Sequence, residues 1–292
     1  MKLYKKLLNL DGLISTTLVF IALLFFSFIF TKFSFLLPFY NALSDFEITD
    51  INYQVMRVPG EVLADTNIVM INITDLSNED LANLISSINE NKPKVVGIDR
   101  ILKPSGNDSS DLKLANALSQ TKNLVLANKF IYNPRTQKYD SLIYSDKLFS
   151  KFAIQGFSNL LLNDRENVET IRHFFPKVKV GDSIYLPFSV QIAKIFKPEC
   201  AAYLFNRNNE EEIINFRGKF DKFYFVSEPE TIINNEIDKN LFKDKILLLS
   251  ASDPLKEKFI FYDKYFTPLN ENASGKTFPD MYGIEIHTNI IS

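Results

Sequence analysis

The chain has 292 residues, a formal net charge of −2 and a pI near 5.8, which excludes the basic surface a nucleic-acid partner would require. Only nine glycines leave little backbone for cradling phosphates. No Walker, dinucleotide-binding, nucleophile-elbow, zincin or kinase motif occurs, so neither a cofactor nor a metal is expected.

The N-terminal stretch "MKLYKKLLNLD" carries Lys2, Lys5 and Lys6, and Gly12 to Thr31 then run without a charge. As a helix, such a segment rises about 30 Å, the thickness of a bilayer core. It leaves through "KFSFLLPFY", bulky and aromatic where a cleavable signal peptide would offer small residues. The expectation is an uncleaved transmembrane anchor. Three lysines before the span against Lys32 just after it predict a cytoplasmic N-terminus. Residues 1–35 would then be the cytoplasmic end and anchor, and residues 36–292 one extracytoplasmic domain.

Beyond Pro59-Gly60 a regular alternation begins. "NIVMINI" (67–73) predicts a strand, and Leu81, Leu84, Ile85 and Ile88 predict an amphipathic helix, with Ser77 and Asp80 spaced as a capping box. "KVVGID" (94–99), "DLKLANALSQT" (111–121) and "NLVLANKF" (123–130) continue as strand, helix, strand. This order predicts an α/β fold with a mixed, largely parallel sheet flanked by helices. Residues 132–140 read as a polar turn, 152–160 and 173–180 as strands, and 187–196 as a helix. In "PECAAYLF" the single cysteine, Cys200, reads as a small buried residue; alone, it can form neither an internal disulfide nor a multi-cysteine zinc site. Strands follow at 211–216 and 222–227, and "KILLLS" (245–250) is apolar enough for a central strand.

The carboxylates carry the chemistry on offer. Asp75 lies just past the first strand, Asp99 ends the second, and Asp111 opens the next helix. Were those two strands parallel neighbours, Asp75 and Asp99 would emerge at the carboxyl edge, where open α/β sheets bind ligands. The plainer reading makes Asp111 an N-terminal helix residue and the others turn caps. His173 reads as packed or exposed beside aromatic residues. In "GIEIHTNII", Glu285 and His287 share a face on a strand but diverge by about 200° on a helix.

After the anchor come Asp50 to Arg57, "VMINITD", "VVGIDRIL" and "DLKLANAL". "GFSNLLLNDRENVETIR", "IINFRG", "FKDKILLLSASD", "DKYFTPL" and "YGIEIHTNII" follow in register. This order of features resembles the second CHASE family of extracytoplasmic sensor domains. The matching positions are Asp50, Arg57, Asp99, Asp111, Asn159, Arg172, Asp263, Thr267, Pro268, Gly283, Glu285 and His287. Ser250 departs from the family's usual glycine, which puts a tight turn there in doubt.

The resemblance implies a bacterial periplasmic, non-enzymatic sensor that passes a signal to membrane helices or to an effector. The implied partners are the cytoplasmic membrane, a small-molecule ligand, a signalling effector domain or envelope protein, and a second copy of the chain. Asp75, Asp99 and Asp111 are the ligand-binding candidates. Asp50, Arg57, Gly283, Glu285 and His287 are the structural or transmission candidates, with an Asp50–Arg57 salt bridge fastening the domain to its stalk. In relatives the closing stretch leads back into the membrane, so a helix is expected there, with the chain continuing past Ser292. The competing readings are an anchored metal-dependent hydrolase using Asp75, Asp99 and His287, and a non-catalytic envelope scaffold.

Overall fold

The computed structural model describes residues 10–32, 47–53, 63–133, 135–136, 138–160, 170–220, 224–234, 236, 238–251, 263–270 and 278–292. The chain begins with α1 (Leu10–Lys32), in which every side chain from Leu10 to Phe28 is exposed. Its apolar residues cover all faces, and Thr16 donates its hydroxyl back to the Gly12 carbonyl at 2.8 Å. The helix is long and apolar enough to cross a membrane.

Among the described residues one sheet of seven strands follows. Its strands and their connecting helices are β1 (Asp65–Asn72), α2 (Asn78–Glu90), β2 (Val95–Asp99), α3 (Asp108–Ser119), β3 (Leu124–Asn133), β4 (Lys138–Ile143) and β5 (Ile154–Phe157). Then come α4 (Phe188–Phe196), α5 (Pro198–Arg207), β6 (Tyr224–Ser227), α6 (Pro229–Ile233), β7 (Ile246–Ser250) and α7 (Gly283–Ile291). The spatial order is β6-β1-β7-β2-β3. β5 joins the first half of β3 in parallel, and β4 folds back antiparallel on its second half. The Ser77–Asp80 capping box forms: the Ser77 hydroxyl accepts from Asp80 N at 3.1 Å, and Ser77 N donates to the Asp80 carboxylate.

The parallel crossovers β1 to β2, β2 to β3 and β6 to β7 all advance in one direction across the sheet. Right-handed crossovers must then lay α2, α3 and α6 on one face. Val69, Ile71, Val96, Ile98, Leu247 and Leu249 meet Leu81, Ile85, Leu114 and Ile232 there. Alternate residues Ile68, Met70, Val95, Val125 and Leu248 point the other way, onto Phe188 and Ile192 of α4 and Ile284 of α7. Burying each such aliphatic side chain contributes about 1.5–3 kcal/mol. α4 approaches β5 so closely that a Cβ on Gly156 would lie 2.7 Å from Phe188 Cα, so only glycine fits.

Three sequence expectations need correcting. β1 and β2 are parallel but not neighbours, because β7 lies between them and pairs with both. The segment at 132–140 is a hairpin flank, with strands on both sides of its turn. Cys200 is exposed, since α5 buries only Ala201 fully and turns its other side chains toward solvent or its rim. As for Ser250, it ends β7 in register with Asp99, inside the sheet and not in a turn.

A third, smaller core joins the two ends of the domain. Ile171, Ile214, Phe216 and Met281 pack there with Ile286 and Ile290 of α7 and with Tyr53 from the segment 47–53. Tyr53 donates its hydroxyl to the Ile214 carbonyl at 3.0 Å and accepts from Phe216 N at 3.2 Å. Asp50, 3% exposed, receives Nε and Nη2 of Arg172 at 2.8 and 2.7 Å, a bidentate pair dry on both sides. Arg57, the expected partner of Asp50, lies outside the described residues.

Removing one member of a buried ion pair strands the other charge. Asp50→Ala or Arg172→Ala is therefore expected to cost about 3–5 kcal/mol in urea denaturation of the full chain. The double variant should cost less than the sum of the two, and additive losses would show that the pair is not coupled.

Candidate functional site

Strand alternation selects the residues that line the carboxyl edge on the α4–α7 face. Gly97 of β2 faces α4, where a Cβ would lie 2.6 Å from Ile192 Cδ1, so Asp99 two residues on faces the same way. Val125 and Ala127 of β3 face that layer too, which puts Lys129 on it at the rim. α7 then brings His287 to the same edge, with its ring packed edge to face on Phe188 at 5.8 Å.

His287 is 1% exposed, and its Nε2 lies 3.0 Å from the Ser158 carbonyl oxygen. A carbonyl can only accept, so Nε2 carries the proton and Nδ1 presents a bare lone pair. That Nδ1 has no hydrogen-bond partner, and neither does the hydroxyl of Ser158. Burial pushes the imidazole pKa down, against the opposing pull of the Ser158 carbonyl and Asp263.

Asp99 is half-buried at the end of β2. Desolvation raises its pKa, while Lys129 and the nearby Ser158 hydroxyl oppose the rise; the hydroxyl stands beside the carboxylate without closing a full hydrogen bond. Arg100 offers Asp99 nothing, because its guanidinium bonds the Leu76 carbonyl at 3.0 Å. Asp263 stands at the mouth, with φ of 71°, in the left-handed region that an aspartate tolerates better than most residues. Desolvation and then the Asp99 charge raise its pKa, and Lys129, His287 and Tyr265 counter them. A Cβ on Gly283 would lie 3.1 Å from both Asp263 carboxylate oxygens, so glycine there lets the carboxylate seat at the positive end of α7.

Asp99, Asp263, Lys129, Ser158 and His287 thus gather at one end of the sheet, with Asp263 and Ser158 each neighbouring both Asp99 and His287. Asp75 is exposed past the end of β1, two strand positions from β2, or about 10 Å across the sheet. Asp111 lies on the opposite helical layer and clamps α2 to α3. Its carboxylate accepts from Asn78 Nδ2 at 2.6 Å and from Ser105 N and Oγ at about 2.9 Å, contacts that hold its pKa low. No group of three or more His, Cys, Asp or Glu able to hold a metal occurs among the described residues, and the hydrolase arrangement of Asp75, Asp99 and His287 finds no support.

Glu285 and His287 diverge on α7, as a helix requires. Glu285 accepts Tyr282 N at 2.8 Å and Phe220 N at 3.1 Å. Asn289, unmarked by sequence reasoning, accepts Arg217 N at 2.7 Å and Gly218 N at 3.1 Å and donates to the Gly218 carbonyl at 3.0 Å. Both histidines line a slit of about 10 Å³, room for about one water. A larger cavity of about 230 Å³ between α4, α5 and α7 is walled mainly by apolar side chains, and Arg207 at its rim is paired with Glu212.

A family model, that of the CHASE2 domain, matches residues 17–292. Comparison with curated proteins and comparison with solved structures each returned no match.

The Glu285 carboxyl is pushed up to about 7 from 4.5, with desolvation as the main cause. Its folded pKa is raised, so its contribution to stability is full below about pH 4.5 and is lost as pH rises through about 7. Glu285→Gln should remove this slope: from about pH 5 to 7.5, wild-type stability should fall relative to the variant by up to about 3 kcal/mol. His287 acts oppositely, its contribution being lost as pH falls below 6.5, and it cancels in the comparison. Parallel pH curves in urea denaturation would refute the assignment.

Proposed function

Because the chain belongs to the CHASE2 family of extracytoplasmic sensory domains, we propose that it is a membrane-anchored receptor module that reads a ligand at the Asp99–Asp263–His287 crevice and reports it through α7. α1 crosses the bacterial cytoplasmic membrane with its N-terminus inside, and residues 36–292 lie on the periplasmic side. The signal goes to membrane helices or an effector, in a single or paired copy of the chain.

One observation carries this reading. α7 supplies His287 to the crevice and, from the same few turns, Ile286 and Ile290 to the third core, where the anchor-proximal segment docks through Tyr53. A change at the crevice that shifts α7 therefore acts on the segment nearest the membrane. The mechanism is a population shift: a ligand that favours one seating of α7 biases the domain only by its differential affinity for the two seatings.

Cys200 is exposed and is the only cysteine in the chain, so it reports orientation without engineering. A membrane-impermeant maleimide should label it in intact spheroplasts, whereas labelling only after permeabilisation would place the domain in the cytoplasm. Transmission is tested by hydrogen exchange on the full chain in nanodiscs. Asp99→Asn should alter amide protection across 283–291, and unchanged protection there would sink the coupling.

A further inference from the structure

We propose that the cavity between α4, α5 and α7 is a binding site for a neutral aromatic molecule of one or two fused rings. The site lies apart from the cluster around Asp99 and does not depend on the sensing role given to that cluster.

Space and walls carry the first part of the argument. The cavity holds about 230 Å³, and an apolar hollow of roughly 150 Å³ suffices for benzene, so a bicyclic ring has room. Ala193 of α4, Leu204 of α5, Ile214 and Ile290 of α7 supply apolar wall. Phe174 and Tyr203 line the cavity as well and give an aromatic guest rings to pack on. At the mouth Tyr203 and Ile213 stand 66% and 57% exposed, apolar surface that a guest would cover.

The polar groups argue for neutrality. Asn289 accepts from Arg217 N, Gly218 N and the Tyr224 hydroxyl, and donates to the Gly218 and Glu285 carbonyls, so its amide is spent. The Ser189 hydroxyl is fully buried and out of a ligand's reach. Arg207, the lining side chain with a full charge, meets Glu212 at 3.1 Å. A charged ligand would give up its water with no unpaired counter-charge on these walls to replace it, a loss that an apolar ring does not suffer. Ile290 also belongs to the third core, so a guest would touch the helix that reaches the anchor-proximal segment.

Cys200 lines the cavity and is exposed, so its alkylation reports occupancy. In the full chain in nanodiscs, indole should slow maleimide labelling of Cys200 saturably, by about threefold or more. Indole-3-carboxylate, the same ring as an anion, should need at least about tenfold more free ligand for equal protection. 1-Hexanol, neutral but without a ring, should need about threefold more. Ala193→Leu fills the space and should abolish the protection, with Ala201→Val from α5 as the second filling variant should the first not fold. Protection that persists in a folded filling variant, or none in the wild type up to the solubility of indole, would overturn the site. Equal protection by indole-3-carboxylate would overturn the neutral assignment, and equal protection by 1-hexanol the aromatic one.

Discussion

Burying a polar helix obliges every segment around it to supply partners. In α7, Glu285, His287, Thr288 and Asn289 are all at most 5% exposed. Each unsatisfied group would cost about 1–3 kcal/mol, more if charged. Glu285 therefore fixes Phe220, Asn289 fixes the chain at 217–218, and His287 fixes Ser158. Thr288 reaches Met70 Sδ in the sheet at 3.1 Å and returns a bond to the Ile284 carbonyl. The irregular middle of the domain takes its position from these contacts, not from long strands of its own.

The two polar devices of the domain differ in kind. Asp50 and Arg172 form a closed pair in which each charge is met by the other, and its role is mechanical: it holds the anchor-proximal segment on the third core. The cluster at the end of β2 is the opposite case, with the Nδ1 of His287 and the hydroxyl of Ser158 both buried without closing a hydrogen bond. A fully satisfied network gives rigidity, whereas an incompletely satisfied one keeps alternatives open to it. α7 touches both, through His287 on one side and Ile286 and Ile290 on the other.

Local chemistry was legible in the sequence where it depended on near neighbours. Ser77 and Asp80 announce their capping box three residues apart, and "KILLLS" announces a strand buried on both faces. Asp99 was legible as a charge ending a buried run. What failed were inferences that needed distant segments. β1 and β2 look adjacent until β7, far along the chain, enters between them. Asp50 suggested a partner seven residues away, and its described partner lies 122 residues on. Neither Lys129 nor Ser158 was singled out by residue spacing, and only the pairing of β2, β3 and β5 gathers them beside Asp99. Cys200 was misjudged because residue type suggested burial, while α5 packs through a single narrow stripe.

The position of β7 also sets an order of assembly. β1 and β2 are made early, but the strand that hydrogen-bonds both of them arrives only with residues 246–250. Until then, their facing edges expose unpaired amides and carbonyls along apolar strands, the arrangement most open to pairing with another chain. The sheet closes late, through contacts between residues far apart in sequence, and such topologies fold slowly. Whatever route delivers the chain, that central slot stays open until residues 246–250 are available to fill it.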